Sequence, residues 1–210
     1  MPPGKRGKYL GFVAHEIKNP LANALWSCDL LKRMSPADRA GERAEKMIDV
    51  ALRGLRRMGR LIEDHFTIER LLEGGYELAR ERLSLRGMVA HALGVLATKE
   101  GVPTDGWIVE LGAEEVQGDQ EMLQRAVHAA IEYMARASPD PRLSISAQGQ
   151  TLLVHAEKPP APLKPPDPEE RPPGDATGSV LGFALAARIL EAHGGRLEAR
   201  DGALALVFGP

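Results

Sequence analysis

Between Tyr9 and Met34 the apolar residues Leu10, Ala14, Ile17, Leu21, Ala24, Cys28 and Leu31 recur at alternating steps of four and three, the heptad stripe of one helix. Ser35-Pro36 ends it, because proline cannot continue the hydrogen-bond ladder and restricts the residue before it. A second stripe follows in Ala44, Ile48, Ala51, Leu55, Met58, Ile62 and His65, with Arg53, Arg56, Arg57 and Arg60 off the seam as a solvated face. Gly74-Gly75 closes this second helix. Two seamed helices on one short connection make a helical hairpin, which buries too little surface to stand alone. Pairing two copies into a four-helix bundle satisfies both seams, so a homodimer built on Tyr9–Leu72 is expected.

From Leu83 the pattern turns to mixed α/β. Leu85–Ala97, Gln120–Ala137 and Val180–His193 read as helices, the second capped by Asp119 and the third stopped by Gly194-Gly195. Trp107–Leu111 reads as a short strand. Leu143–Ala147 and Thr151–Ala156 flank Gln148-Gly149-Gln150, and Arg196–Ala199 and Ala203–Phe208 flank Asp201-Gly202, both hairpin signals. Between Glu157 and Thr177 stand eight of the chain's 16 prolines, a stiff extended loop. The fold class predicted is therefore α plus α+β. A bundle-forming hairpin over 1–75 precedes an α/β sandwich over 76–210 that carries the proline-rich loop at 157–177.

Composition narrows the setting without touching the chemistry. A formal net charge of -2 does not suit a general nucleic-acid binder. No apolar run reaches the length of a membrane span, and Met1–Lys8 lacks the apolar core of a signal peptide. The single cysteine, Cys28, excludes an internal disulfide framework, and a soluble cytoplasmic protein is expected.

The chemistry lies in Phe12-Val13-Ala14-His15-Glu16-Ile17-Lys18-Asn19-Pro20-Leu21. His15 follows seam residue Ala14 and is turned about 100° from it, outward. Asn19 lies one turn on, on the same face. Pro20 sits inside the helix, where it costs about 3 kcal/mol and bends the axis beside the histidine. A neutral imidazole is a competent nucleophile near neutral pH, and a neighbouring carboxylate fixes its tautomer. The zinc-protease pattern H-E-x-x-H would need a histidine at position 19, and Asn19 excludes it. Continuing from His15, Asn19, Ala22 and Trp26 fall at steps of four, three and four on one helix face. Trp26 is thus an aromatic off the seam: either a packing residue or an anchor for a docking partner, with Ala22 leaving room.

His15-Glu16-Ile17-Lys18-Asn19-Pro20-Leu21 resembles the H-box of the dimerisation and histidine phosphotransfer domain of sensor histidine kinases. The resemblance implies that His15 is phosphorylated, that Glu16 orients its ring and assists proton removal, and that Asn19 positions water against a partner's phosphoaspartate. The later half resembles the ATP-binding domain of the same kinases, through Gly178-Ser179-Val180-Leu181-Gly182-Phe183-Ala184 and Ile189-Leu190-Glu191-Ala192-His193-Gly194-Gly195.

Its functional positions depart from the family. Where asparagines should contact phosphates and Mg²⁺ stand Ala129 and Tyr133, neither a magnesium ligand of use. Ala156 or Glu157 replaces the adenine-reading aspartate, Lys158-Pro159-Pro160 replaces the glycines after it, and Val180 replaces a glycine at the phosphate-facing turn. Phosphoryl transfer from ATP depends on positioning and metal-assisted charge stabilisation, so ATP-driven autophosphorylation is not expected, though the fold can outlast its site.

The sequence therefore points to a histidine phosphotransfer protein of a two-component phosphorelay. It would move phosphoryl groups between response-regulator receiver domains through His15, with no metal or nucleotide of its own and Mg²⁺ supplied on the receiver. The alternatives are a sensor histidine kinase with an unusual ATP site and a non-catalytic dimeric scaffold that binds a response regulator. A phosphatase role through Asn19 is compatible with the first reading.

Overall fold

The computed structural model describes residues 3–74, 76–159 and 179–210; within them the side chains of residues 3–12, 15, 141, 179 and 180 stand outside the description. Most of the proline-rich loop therefore lies outside the described residues. The chain forms two compact units, Met1–Phe66 and Thr67–Pro210, so contacts divide it inside the second helix, ahead of Gly74-Gly75.

The first unit is a helical hairpin. Helix α1 (Pro3–Arg33) runs unbroken through Pro20, and helix α2 begins at Glu42 and continues to Leu72. The connection is a capped turn. Ser35 Oγ accepts the Asp38 N–H, and the Arg39 guanidinium donates to the carbonyls of Leu31 and Lys32 at the C-terminal end of α1.

The buried face of the hairpin overlaps the heptad stripes read from the sequence only at Ala24, Ala44 and Ala51. On α1 it is Val13, Glu16, Pro20, Ala24 and Ser27; on α2 it is Ala44, Ala51, Gly54 and Leu61. Small residues dominate because they allow the backbones to approach. A Cβ on Gly54 would stand 2.8 Å from the Pro20 carbonyl oxygen, so only glycine fits there. The larger seam residues Leu21, Ile48, Leu55 and Ile62 are exposed on the single chain, as are Ala14 and Cys28. Each helix thus carries two stripes, a small-residue stripe inside the hairpin and a large apolar one turned away from it.

The second unit holds a two-stranded antiparallel sheet, β1 (Glu81–Ser84) with β3 (Glu115–Gly118), and a five-stranded mixed sheet. The order of the larger sheet is β2 (Ile108–Glu110), β4 (Asp140–Gln148), β5 (Thr151–Lys158), β7 (Ala203–Val207), β6 (Arg196–Arg200). Only β2 and β4 pair in parallel; the rest are antiparallel. Asp201 and Gly202 both take positive φ (46° and 80°), as the tight β6–β7 turn requires.

Helix α4 (Gln120–Ala137) lies against β4, β5 and β7, flanked by α3 (Leu85–Lys99) and α5 (Ser179–Ala192). Its amphipathic pattern fixes this place: Met122, Leu123, Ala126, Val127, Ala130, Ile131 and Met134 are buried. The Met122 N–H donates to Asp119 Oδ1 at 3.1 Å, the cap expected of Asp119. Strands β1 and β3 were not foreseen; β1 buries Leu83, and β3 buries Val116 and Gly118.

Candidate functional site

On α1 the residues around position 15 face different ways. Glu16 is 7% exposed and turns into the hairpin beside Val13 and Pro20, while Asn19 is half-buried. The His15 side chain, and with it the expected outward orientation, lies outside the described residues; its backbone is helical. The register places position 15 on the face of Asn19, Ala22 and Trp26, apart from the buried stripe and from the Ala14–Leu21–Leu25 stripe. Ala22 is exposed and Trp26 is 61% exposed, so within the hairpin Trp26 does not pack on the second helix. Of the sequence-derived set, then, Asn19, Ala22 and Trp26 share one partly open helix face, and Glu16 is turned off it.

Pro20 has no N–H to offer the Glu16 carbonyl. The matching device on the opposite helix is Gly54, whose backbone comes up against the Pro20 carbonyl. A glycine at the middle of a long helix is costly by about 1 kcal/mol, and that cost was the signal available in the sequence.

In the second unit the positions Ala129 and Tyr133 face α5. Ala129 is buried, and a Cβ placed on Gly182 would stand 3.4 Å from the Ala129 methyl, ordinary contact. One turn further, Tyr133 stacks on buried Phe183 with centroids 4.1 Å apart and planes within 8°. Phe183, as Tyr133's partner, was not singled out from the sequence. Ala156 is fully buried in β5 opposite Leu143, and the Glu157 carboxylate stands 2.7 Å from Arg142 at the surface. Val180 falls in the first turn of α5, and the expected steric effect of its side chain lies outside the described residues.

Where α5 ends, His193 is buried and bonded at both ring nitrogens. Nε2 accepts the Asp119 N–H at 3.1 Å, so Nδ1 carries the proton and donates to the Ile189 carbonyl at 2.7 Å. It ties the end of α5 to the cap of α4 and is structural.

The chain is thus a helical hairpin with His15 on its first helix, followed by an α/β unit with a mixed sheet. Residues 5–74 match the family described as His Kinase A (phospho-acceptor) domain. That region is the helical hairpin, a third of the chain; over the second unit the likeness to histidine kinases is one of fold. The chain is 26% identical over 225 residues to the sensor protein SphS of Synechococcus elongatus, covering 94% of this chain but only about half, 52%, of that protein. Its fold is shared with the Acinetobacter baumannii histidine kinase AdeS, with TM-score 0.64, 17% identity, and coverage of 91% of this chain and 95% of that one. Full-length ShkA in complex with AMPPNP also resembles it, with TM-score 0.53, 15% identity, and coverage of 94% of this chain and 44% of that one. No helix among the described residues is long and apolar enough to cross a membrane.

Proposed function

We propose that residues 1–75 form the phospho-acceptor domain and 76–210 the ATPase-type domain of a two-component signalling protein, and that His15 carries the phosphoryl group. The observation that supports this most is the H-box sequence set in the matched region, on a helix whose His15 face is separate from its packing stripes. In the transfer, one imidazole nitrogen attacks phosphorus, an N–P bond forms and the donor's O–P bond breaks. Attack leaves a phosphoimidazolium whose other nitrogen gives up its proton to a base. The resemblance alone assigns that part to Glu16, which is turned into the hairpin here. The group then passes to an aspartate of a response-regulator receiver that holds its own Mg²⁺, and the imidazole nitrogen is freed. Asn19 positions water to hydrolyse the receiver's phosphoaspartate, releasing inorganic phosphate and the free carboxylate. The exposed stripe of Leu21, Ile48, Leu55 and Ile62 supports a homodimeric bundle.

Two readings of the phosphate donor follow. The relatives are sensor proteins and kinases, which favours the kinase reading, with ATP used through an unusual site. One specific observation favours the phosphotransferase reading instead. At the positions of the family's phosphate- and metal-contacting asparagines, Ala129 and Tyr133 pack against Gly182 and Phe183 as an apolar helix interface. Labelling with ATP radioactive at its γ-phosphate, beside labelling from phosphorylated receiver domains, separates the two. Stoichiometric, acid-labile label from Mg-ATP establishes the kinase, and label from receivers alone establishes the phosphotransferase.

A further inference from the structure

Helix α4 carries a second group of chemistry-bearing side chains on the flank facing α3, away from Ala129 and Tyr133. Glu100 caps the C-terminal end of α3 and its side chain is 2% exposed. His128 and Glu132 stand four residues apart on α4, hence on one face of it. Arg136, a further turn along, donates Nη2–H to Glu100 Oε2 at 3.1 Å and Nε–H to Glu132 Oε1 at 2.8 Å. Burial opposes the Arg136 charge, but Glu132 and then Glu100 outweigh it and hold the guanidinium's pKa above its usual value. His128 Nε2 is buried, stands 3.3 Å from Glu100 Oε1, and makes no hydrogen bond among the described residues. Single ligand atoms of Glu100, His128 and Glu132 all fall within 4.8 Å of one another.

We propose that Glu100, His128 and Glu132 bind a divalent transition-metal ion of the zinc class, with Arg136 holding the two carboxylates in position. Zinc takes imidazole nitrogen and carboxylate oxygen at about 2.0–2.2 Å in a tetrahedral array, which sets neighbouring ligand atoms about 3.3 Å apart. The His128–Glu100 separation of 3.3 Å fits that edge, whereas a charge-assisted hydrogen bond would be nearer about 2.8 Å. An imidazole in the set disfavours calcium and magnesium, which prefer oxygen ligands throughout. Each carboxylate can give one oxygen to the ion while the other stays with Arg136, the outer contact that commonly orients metal-bound acids. Three protein ligands leave the fourth tetrahedral position for water. Bound there, the ion would pin the end of α3 to the middle of α4. The inference does not depend on which molecule donates phosphate to His15.

The test is calorimetric titration of the metal-stripped full chain with Zn²⁺, paired with thermal melts with and without the ion. The expected result is one ion per chain with micromolar or tighter affinity, at least about tenfold weaker in His128→Ala and in Glu132→Gln, and unchanged in His91→Ala. Zn²⁺ should raise the Tm of the parent and leave that of His128→Ala unmoved. Should His128→Ala lose its helicity, Glu132→Gln, which keeps the side-chain volume, decides alone. No binding by the parent, or parent-like binding in Glu132→Gln, overturns the site and leaves a charge network only.

Discussion

Replacing His193 with alanine should cost the second unit a large part of its stability, and the amount can be worked from three contacts. The ring accepts the Asp119 N–H at the capped start of α4, donates to the Ile189 carbonyl, and sits against Gly118, where an added Cβ would come within 2.7 Å of it. Removing it leaves the Asp119 N–H buried without that acceptor, about 1–3 kcal/mol. The void left by the ring adds about 2 kcal/mol, at the lower end of large-to-small core truncations. The sum is about 3–5 kcal/mol, against a total of about 5–15 kcal/mol for a typical domain. The same Asp119 also receives the Met122 N–H and the Ala79 N–H, so loosening its backbone weakens the cap and the segment entering β1 together. Urea unfolding followed by circular dichroism measures the loss, and hydrogen exchange at the Asp119 amide localises it. His193→Gln, whose amide oxygen can accept the Asp119 N–H, should recover about 1 kcal/mol or more. A His193→Ala protein within about 1 kcal/mol of the parent, with an unchanged m-value, would refute the reasoning.

Further outcomes follow from the same structure. Leu55→Glu with Ile62→Glu places charges on the exposed apolar stripe of α2 and should give monomers by sedimentation; a folded double mutant that stays dimeric refutes the dimer assignment. Trp26→Ala should slow transfer between His15 and its receiver about thirtyfold, the equivalent of about 2 kcal/mol, while helicity and dimer stay intact; transfer at the parent rate, or a dimer that falls apart, removes Trp26 from the docking face. Hydrogen bonds from Arg142 lower the Asp140 pKa from 3.8 to about 2. Because the folded value is the lower one, its stabilisation is present above the unfolded value and is lost as pH falls through that window. The stability gap between parent and Asp140→Asn should accordingly close as pH drops from about 4 to about 2, and a constant gap would contradict the shift.

The elements most legible in the sequence were those with local rules. Helix α4 runs over Gln120–Ala137 as its period and the Asp119 cap predict, and the β6–β7 turn falls at Asp201-Gly202. Strands β1 and β3 escaped because each is four residues long with one inward apolar side chain, the second buried position of β3 being Gly118, and their pairing joins distant stretches of chain. The hairpin seams share Ala24, Ala44 and Ala51 with the face that packs inside the single chain, while their larger residues Ile48, Leu55 and Ile62 stay exposed on it. Hydrophobic period alone passes over Ser27 and Gly54, which close helix packing buries because they are small. The same blindness applies to burial of Glu16, a charged residue on an inward helical position. At the α4–α5 face the sequence showed what Ala129 and Tyr133 lack, but not the Phe183 ring that stacks there. The Glu100–His128–Glu132 group was invisible for a simpler reason: the α4 spacing is one half of it, and only the fold brings Glu100 alongside.

The central claim, that His15 is the residue phosphorylated, is tested most directly by locating the label. The full chain is incubated with each phosphate donor, Mg-ATP and a panel of phosphorylated receiver domains, and the product is compared with His15→Gln. The account predicts an acid-labile, base-stable phosphoryl group from at least one donor, mapped to the peptide containing His15 and absent in His15→Gln. Label that persists in His15→Gln, or a parent protein that takes no label from any donor, would contradict it.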